Sequence, residues 1–153
     1  MYKIRLATPE DAEALVRLRV TFLEEVGNFG EGVDIQAVSE AFRKYLLRKL
    51  PTGEFLAWVA EDAGEIVATS GLVFFERPPN GTSPTGLEAY VMNMYTLPRW
   101  RGRGLATALL DAAVLRVRQT GARRVWLHAT DVGRPVYERA GFTASDSEME
   151  LTW

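Results

Sequence analysis

Residues 2–7 alternate polar and apolar positions, the period of a half-buried strand, and the run stops at Thr8-Pro9. Thr8 suits a helix N-cap, with Pro9 in the first helical position and Asp11 three residues beyond the cap as a variant capping box. Leu15, Val16, Leu18, Phe22, Leu23 and Val26 then recur at helical spacing until Gly27-Asn28. After a glycine-studded stretch holding Gly27, Gly30 and Gly32, Asp34 can cap a second helix. Its Ile35, Val38, Phe42, Tyr45 and Leu46 keep the helical period as far as Pro51 and Gly53. The period then changes. Residues 54–61 and 65–76 read as strands joined by the tight Asp62-Ala63-Gly64 turn, which predicts a hairpin. Residues 77–86, rich in Pro, Gly, Ser and Thr, are a loop, and residues 87–97 a further strand. Residues 103–120 carry Leu105, Leu109, Ala112, Ala113 and Leu115 in a helical pattern stopped by Gly121. A short strand over 125–129 and a brief helix over 134–140 follow. Phe142 onward predicts a terminal pair of strands turning near Ser145-Asp146.

That order (strand, two helices, three strands, helix, strand, helix, two strands) predicts an α/β fold with one mixed sheet in a three-layer arrangement and helices on both faces. The crossover from residue 87 to residue 129 predicts two parallel strands joined in the right-handed sense. A chain of 153 residues with no linker, repeat or low-complexity tract is expected to form a single domain over 1–153.

Composition narrows the chemistry. A formal charge of −2 disfavours a nucleic-acid partner, and no apolar run approaches the roughly 20 residues of a membrane span. The first residues lack the apolar segment of about 7–15 residues that a signal peptide needs. With no cysteine, a reducing compartment fits, and a cytoplasmic location is expected. No cysteine and one histidine also exclude a thiolate nucleophile, a disulfide and a thiolate metal site. The lone His128 cannot form a multi-histidine cluster, so no metal is expected.

The informative segment is Arg101-Gly102-Arg103-Gly104-Leu105-Ala106, between a strand and a long helix. Glycines there allow close backbone approach and positive φ, and the free amides of the first helical turn suit a pyrophosphate. It is neither a P-loop, since no Lys-Ser or Lys-Thr occurs in the chain, nor a dinucleotide fingerprint, since Gly102 and Gly104 are followed by Thr107. Taken alone, it could equally be a surface turn.

It does not stand alone. Arg101-x-x-Gly104-x-Ala106 resembles the R/Q-x-x-G-x-G/A motif of the GNAT acyltransferase superfamily. About thirty residues later, Tyr137-Glu138-Arg139-Ala140-Gly141-Phe142 is similar to that family's Y-E-x-x-G-F segment. The resemblance implies a central, mostly antiparallel sheet with one splayed parallel pair. It also implies acetyl-CoA as cosubstrate and an amine-bearing small molecule or peptide as acceptor, and a homodimer stays open. Met94, Tyr95 and Thr96 would pair with the pantetheine arm, and the amides of Gly102, Arg103, Gly104, Leu105, Ala106 and Thr107 would hold the pyrophosphate. Arg99, Arg101 or Arg103 would add bonds to phosphates, and Thr130 stands where many members carry a cofactor-contacting asparagine. Tyr137 resembles the tyrosine that protonates the departing thiolate.

For the proton acceptor several residues stay open. Tyr90 matches the position of a glutamate base in some relatives, Glu88 lies on the same strand face, Asn93 could orient a water, and His128 lies on the strand after the motif helix. On the acceptor side, Glu24, Glu25, Glu31 and Asp34 suggest an acidic field that draws a cationic amine. Without cysteine, transfer is expected to be direct, not through an acyl-cysteine. The alternative function is a sensor that binds acyl-CoA without turnover.

Overall fold

The computed structural model describes all 153 residues. Strand β1 (Tyr2–Leu6) leads through a 3-10 turn (Pro9–Asp11) into α1 (Ala12–Glu25), followed by α2 (Ile35–Lys49). Strands β2 (Phe55–Asp62), β3 (Glu65–Glu76) and β4 (Leu87–Thr96) come next, then α3 (Leu105–Arg118), the short β5 (Arg124–Trp126) and α4 (Arg134–Arg139). The five strands lie in chain order, antiparallel from β1 to β4, with β4 and β5 parallel. No helix is long and apolar enough to cross a membrane.

Local chemistry sets the first two helix starts as the sequence implies. The Thr8 N–H donates to the Asp11 carboxylate at 2.8 Å, and Arg5 holds that carboxylate with two bonds of 2.7 and 2.9 Å. The Asp34 side chain accepts from the Ala37 N–H at 3.0 Å. Strand alternation then divides the core. Phe55, Ala57 and Val59 of β2 face Leu15, Leu18 and Leu46 of α1 and α2, while Trp58 and Ala60 face Leu105, Leu109, Leu110 and Ala113 of α3. Helices therefore cover both faces of the sheet, as expected.

Three expectations need correction. Residues 142–153 form no strand. Met149, Leu151 and Trp153 do recur with period two, but all three side chains stay exposed. The strand expected over 125–129 is three residues long and begins one residue earlier. In addition, α3 starts at Leu105 and not at residue 103, because Gly104 sits at φ 80°, outside the helical region.

The sheet carries one irregularity that shapes everything downstream. Met92 pairs with Gly71 and Tyr95 with Thr69, so three steps on β4 oppose two on β3. The extra residue is Asn93, at φ 53°, a left-handed conformation that asparagine tolerates better than most side chains. Gly71 permits the close approach. A Cβ there would lie 2.8 and 2.9 Å from the buried Phe55 ring and 3.1 Å from the Met92 carbonyl. Gly71→Ala is therefore expected to lower stability by about 1–3 kcal/mol through overpacking, read as a lower urea midpoint at unchanged slope. An unchanged midpoint would mean that the bulge does not need the glycine.

Candidate active site

The bulge and the short β5 act together. β5 pairs with β4 only at Glu88, Ala89 and Tyr90, so the outer edge of β4 beyond Tyr90 has no strand beside it. The Leu97 N–H donates inward to Val67 at 2.9 Å. By alternation, Tyr95 also faces β3, whereas Met94 and Thr96 present their backbone groups to the open edge. Beyond that edge lies a cleft of about 740 Å³ between α1, β4, the start of α3, the segment after β5, and α4.

At one end of the cleft the chain turns through Gly102 (φ 73°) and Gly104 (φ 80°) into α3. A Cβ at either glycine would meet nothing within 4 Å, so their role is backbone conformation, not space. The first intrahelical bond runs from Ala108 to the Gly104 carbonyl, which leaves the preceding amides of Leu105, Ala106 and Thr107 free at the positive end of the helix dipole. Tyr137 reaches the cleft from α4. It is only 8% exposed, packs against Phe142 with ring centroids 6.1 Å apart, and has its hydroxyl pushed up in pKa by burial. Gly133 makes room for it, since a Cβ there would sit 3.2 Å from the Tyr137 ring.

Residues 20–142 match the model of the Acetyltransferase (GNAT) family. The chain belongs to the GNAT acetyltransferase family. A predicted acetyltransferase from Clostridium acetobutylicum, crystallised with acetyl-CoA, is 34% identical and superposes with a TM-score of 0.90 over 99% of this chain and 96% of its own. A GCN5-related N-acetyltransferase from Ralstonia eutropha JMP134 is 29% identical, with a TM-score of 0.86 over 99% of both chains. Among curated proteins, an uncharacterized N-acetyltransferase of Escherichia coli, YjgM, is 33% identical over 98 residues. That match spans 62% of this chain and 55% of the relative, so the chain covers about half the length of that relative.

Within this GNAT fold, Asn93, Met94, Tyr95, Thr96, Arg101, Gly102, Gly104, Leu105, Ala106, Thr107, Thr130 and Tyr137 all line the one cleft. Arg103 is exposed on the adjoining loop and does not line it. Thr130 is engaged locally. Its hydroxyl accepts from the Gly133 N–H at 3.2 Å, which leaves the hydroxyl proton to donate elsewhere. Arg101, one of the arginines expected to reach phosphates, is engaged within the protein. Its Nε donates to the Thr96 carbonyl at 2.9 Å and its Nη2 to both Glu25 oxygens at 2.8 and 2.9 Å, so the guanidinium ties the end of α1 to the end of β4. The Tyr95 hydroxyl also donates to Glu25, at 2.7 Å. Burial, together with this acceptor, pushes the Tyr95 hydroxyl up to about 12, while the Tyr95 bond and Arg101 hold the Glu25 carboxyl below its usual range.

Glu88 is not brought to the cleft. It is 4% exposed, and one carboxylate oxygen accepts from Arg77 at 3.2 Å and from Arg124 at 3.1 Å, a structural tie between β5 and the loop after β3. The fold assembles another titratable group. The Tyr90 hydroxyl lies 2.6 Å from His128 Nδ1, and His128 Nε2 lies 2.6 and 2.8 Å from the two Glu148 oxygens. A carboxylate can only accept, so Nε2 carries the hydrogen, and in the neutral ring Nδ1 then accepts from Tyr90. Tyr90 and His128 both line the cleft, whereas Glu148 comes from the strandless tail.

The expected acidic field is also revised. Of the four carboxylates proposed for it, only Glu25 lines the cleft, and Arg101 faces it directly. Arg19, which sequence reasoning passed over, lines the cleft as well. Its position four residues after Leu15 and three before Phe22 puts it beside the apolar stripe of α1, and that placement was the available signal.

Proposed function

We propose that this chain is an acetyl-CoA-dependent N-acetyltransferase that moves an acetyl group directly onto an amine. The observation that carries the reading is the joining, in one cleft, of a strand edge with free N–H groups at Met94 and Thr96, the Thr96 carbonyl being taken by Arg101, and a set of free amides opening α3. The first suits the amide groups of a pantetheine arm and the second a pyrophosphate, both of which need donors already facing them. The relative crystallised with acetyl-CoA, similar over nearly the whole chain, supports the same cosubstrate here.

The Met94 N–H, beside the bulge, suits donation to the thioester carbonyl oxygen, where negative charge grows during attack. The amine nitrogen bonds to the carbonyl carbon, the carbon–sulfur bond breaks, and the sulfur leaves as a thiolate. Tyr137 supplies its proton. Burial raises the affinity of the phenol for that proton, so it is held across the neutral range and donated only to a strong acceptor at close range. With no cysteine in the chain, no acyl-cysteine intervenes.

An amine must be neutral to attack, and we assign its proton to the Tyr90–His128–Glu148 chain. The Tyr90 oxygen accepts from the amine as its own hydrogen passes to His128 Nδ1, and Glu148 stabilises the resulting imidazolium, in the manner of a carboxylate behind a catalytic histidine. His128 and Glu148 are each more than half exposed, so the proton can leave to solvent. A sensor that binds acyl-CoA without turnover needs no such chain.

Tyr137→Phe is expected to lower kcat by about 100-fold or more with acetyl-CoA affinity by calorimetry nearly intact. Unchanged turnover across pH would remove the tyrosine from the mechanism. Tyr90→Phe and His128→Gln are each expected to reduce kcat/KM by about 10- to 100-fold, with the double variant little worse than either single one. Unchanged kcat/KM in both variants would place the base elsewhere.

A further inference from the structure

On the far side of the bulge from the α3 amides, the cleft holds a cation with no anion. The only carboxylate lining the cleft is Glu25, and it is committed to Arg101 and Tyr95 near the amide end. Arg19 lies toward Tyr90, with its guanidinium 4.9 Å from the Phe42 ring centroid and Tyr45 and Tyr90 close enough to interact with its charge. Its one hydrogen bond is long, 3.5 Å from Nη1 to Asn93 Oδ1. No ion pair engages it, whereas Arg5, Arg43, Arg77, Arg101 and Arg124 each hold a carboxylate.

A guanidinium carries five N–H donors, and burying its charge is costly unless something answers it. Desolvation by burial already pushes Arg19 below its ordinary pKa. None of its nitrogens is both buried and without a partner, and the side chain lines the cleft. The Phe42 face and the Asn93 oxygen fix the direction of the fork. The arrangement is a preorganised half of a bidentate bond, one residue from the Met94 amide.

We propose that Arg19 receives the carboxylate of the acceptor, and that the acceptor is therefore an amino acid or a similarly compact amine bearing an anionic group. The assignment rests on the acyl-transfer reading above and replaces the cationic amine suggested by the acidic residues around α1. One guanidinium fork matches one carboxylate in both charge and shape. Asn93 acts as a positioning residue, holding one edge of the fork while the other stays free. Asn93, which touches Arg19, immediately precedes Met94, so the fork is anchored beside the residue proposed to face the thioester.

The test pairs each of a panel of amino acids with its own carboxamide and measures kcat/KM with acetyl-CoA for the wild type, Arg19→Met and Arg19→Lys. Arg19→Met keeps a long apolar stem against Phe42 without the charge, and Arg19→Lys keeps the charge without the fork. Wild type is expected to favour the acid over its amide by about 10- to 100-fold, the size of a charge-assisted bond to a buried partner. That ratio should fall close to unity in Arg19→Met and to an intermediate value in Arg19→Lys. Preference for the amide in wild type, or an acid preference that survives in Arg19→Met, overturns the assignment. A second readout needs no turnover: the rise in Tm of CoA-loaded protein on adding the same amino acids. A rise in wild type that is lost in Arg19→Met supports the carboxylate site even if no amine is acetylated, an outcome that would sink the transferase reading instead. No rise in wild type, or an equal rise in Arg19→Met, counts against the site directly.

Discussion

One unpaired length of backbone governs this molecule. A strand buried in the middle of a sheet ordinarily spends every N–H and C=O on its neighbours, and leaving such groups without a partner is costly. Here β5 stops after three residues, and β4 runs on for six more with its outer edge unpaired. The extra residue at Asn93 changes the parity of β4, so that Met92 and Tyr95 face the same helices although they are three positions apart. Gly71 gives the bulge its close approach, and Ser70 beside it is buried without a hydrogen-bond partner. The cleft is the space in which those unspent backbone groups can be satisfied by a ligand that is itself an extended chain of amides.

The charges around the cleft follow the same division. At the amide end, Glu25, Arg101 and Tyr95 satisfy one another and fasten α1 to β4, so this group holds the wall in place. At the other end Arg19 stands without an anion, and Tyr90 leads through His128 toward solvent. One wall is neutralised and rigid, while the opposite side keeps a free cation and a path for protons. A direct transfer needs that division, because one ligand must be held by backbone while the other is oriented by charge and loses a proton.

What could be read from the sequence was local. Arg101 to Thr107 and Tyr137 to Phe142 are contiguous segments whose function depends on their own backbone or on one side chain, and the element order up to residue 141 follows from periodicity and caps. Three things were not legible. The bulge was hidden because Asn93 sits in a run that reads as an unbroken strand, and its positive φ arises from the register with β3. The Tyr90, His128 and Glu148 chain draws on three separate segments, and Glu148 lies in a tail expected to form a pair of strands that the fold does not contain. Glu88 shares a strand face with Tyr90, but Arg77 and Arg124 claim it, and neither contact follows from spacing along the chain.

The claim that the open edge of β4 and the first turn of α3 together form the cosubstrate site is tested most directly by amide-resolved hydrogen exchange with and without acetyl-CoA. The account predicts strong new protection at the Met94 and Thr96 amides and at Leu105, Ala106 and Thr107, with little change at Tyr95, which already faces β3. Binding that leaves Met94 and Thr96 exchanging at their free rates, with protection confined to other parts of the molecule, would contradict it.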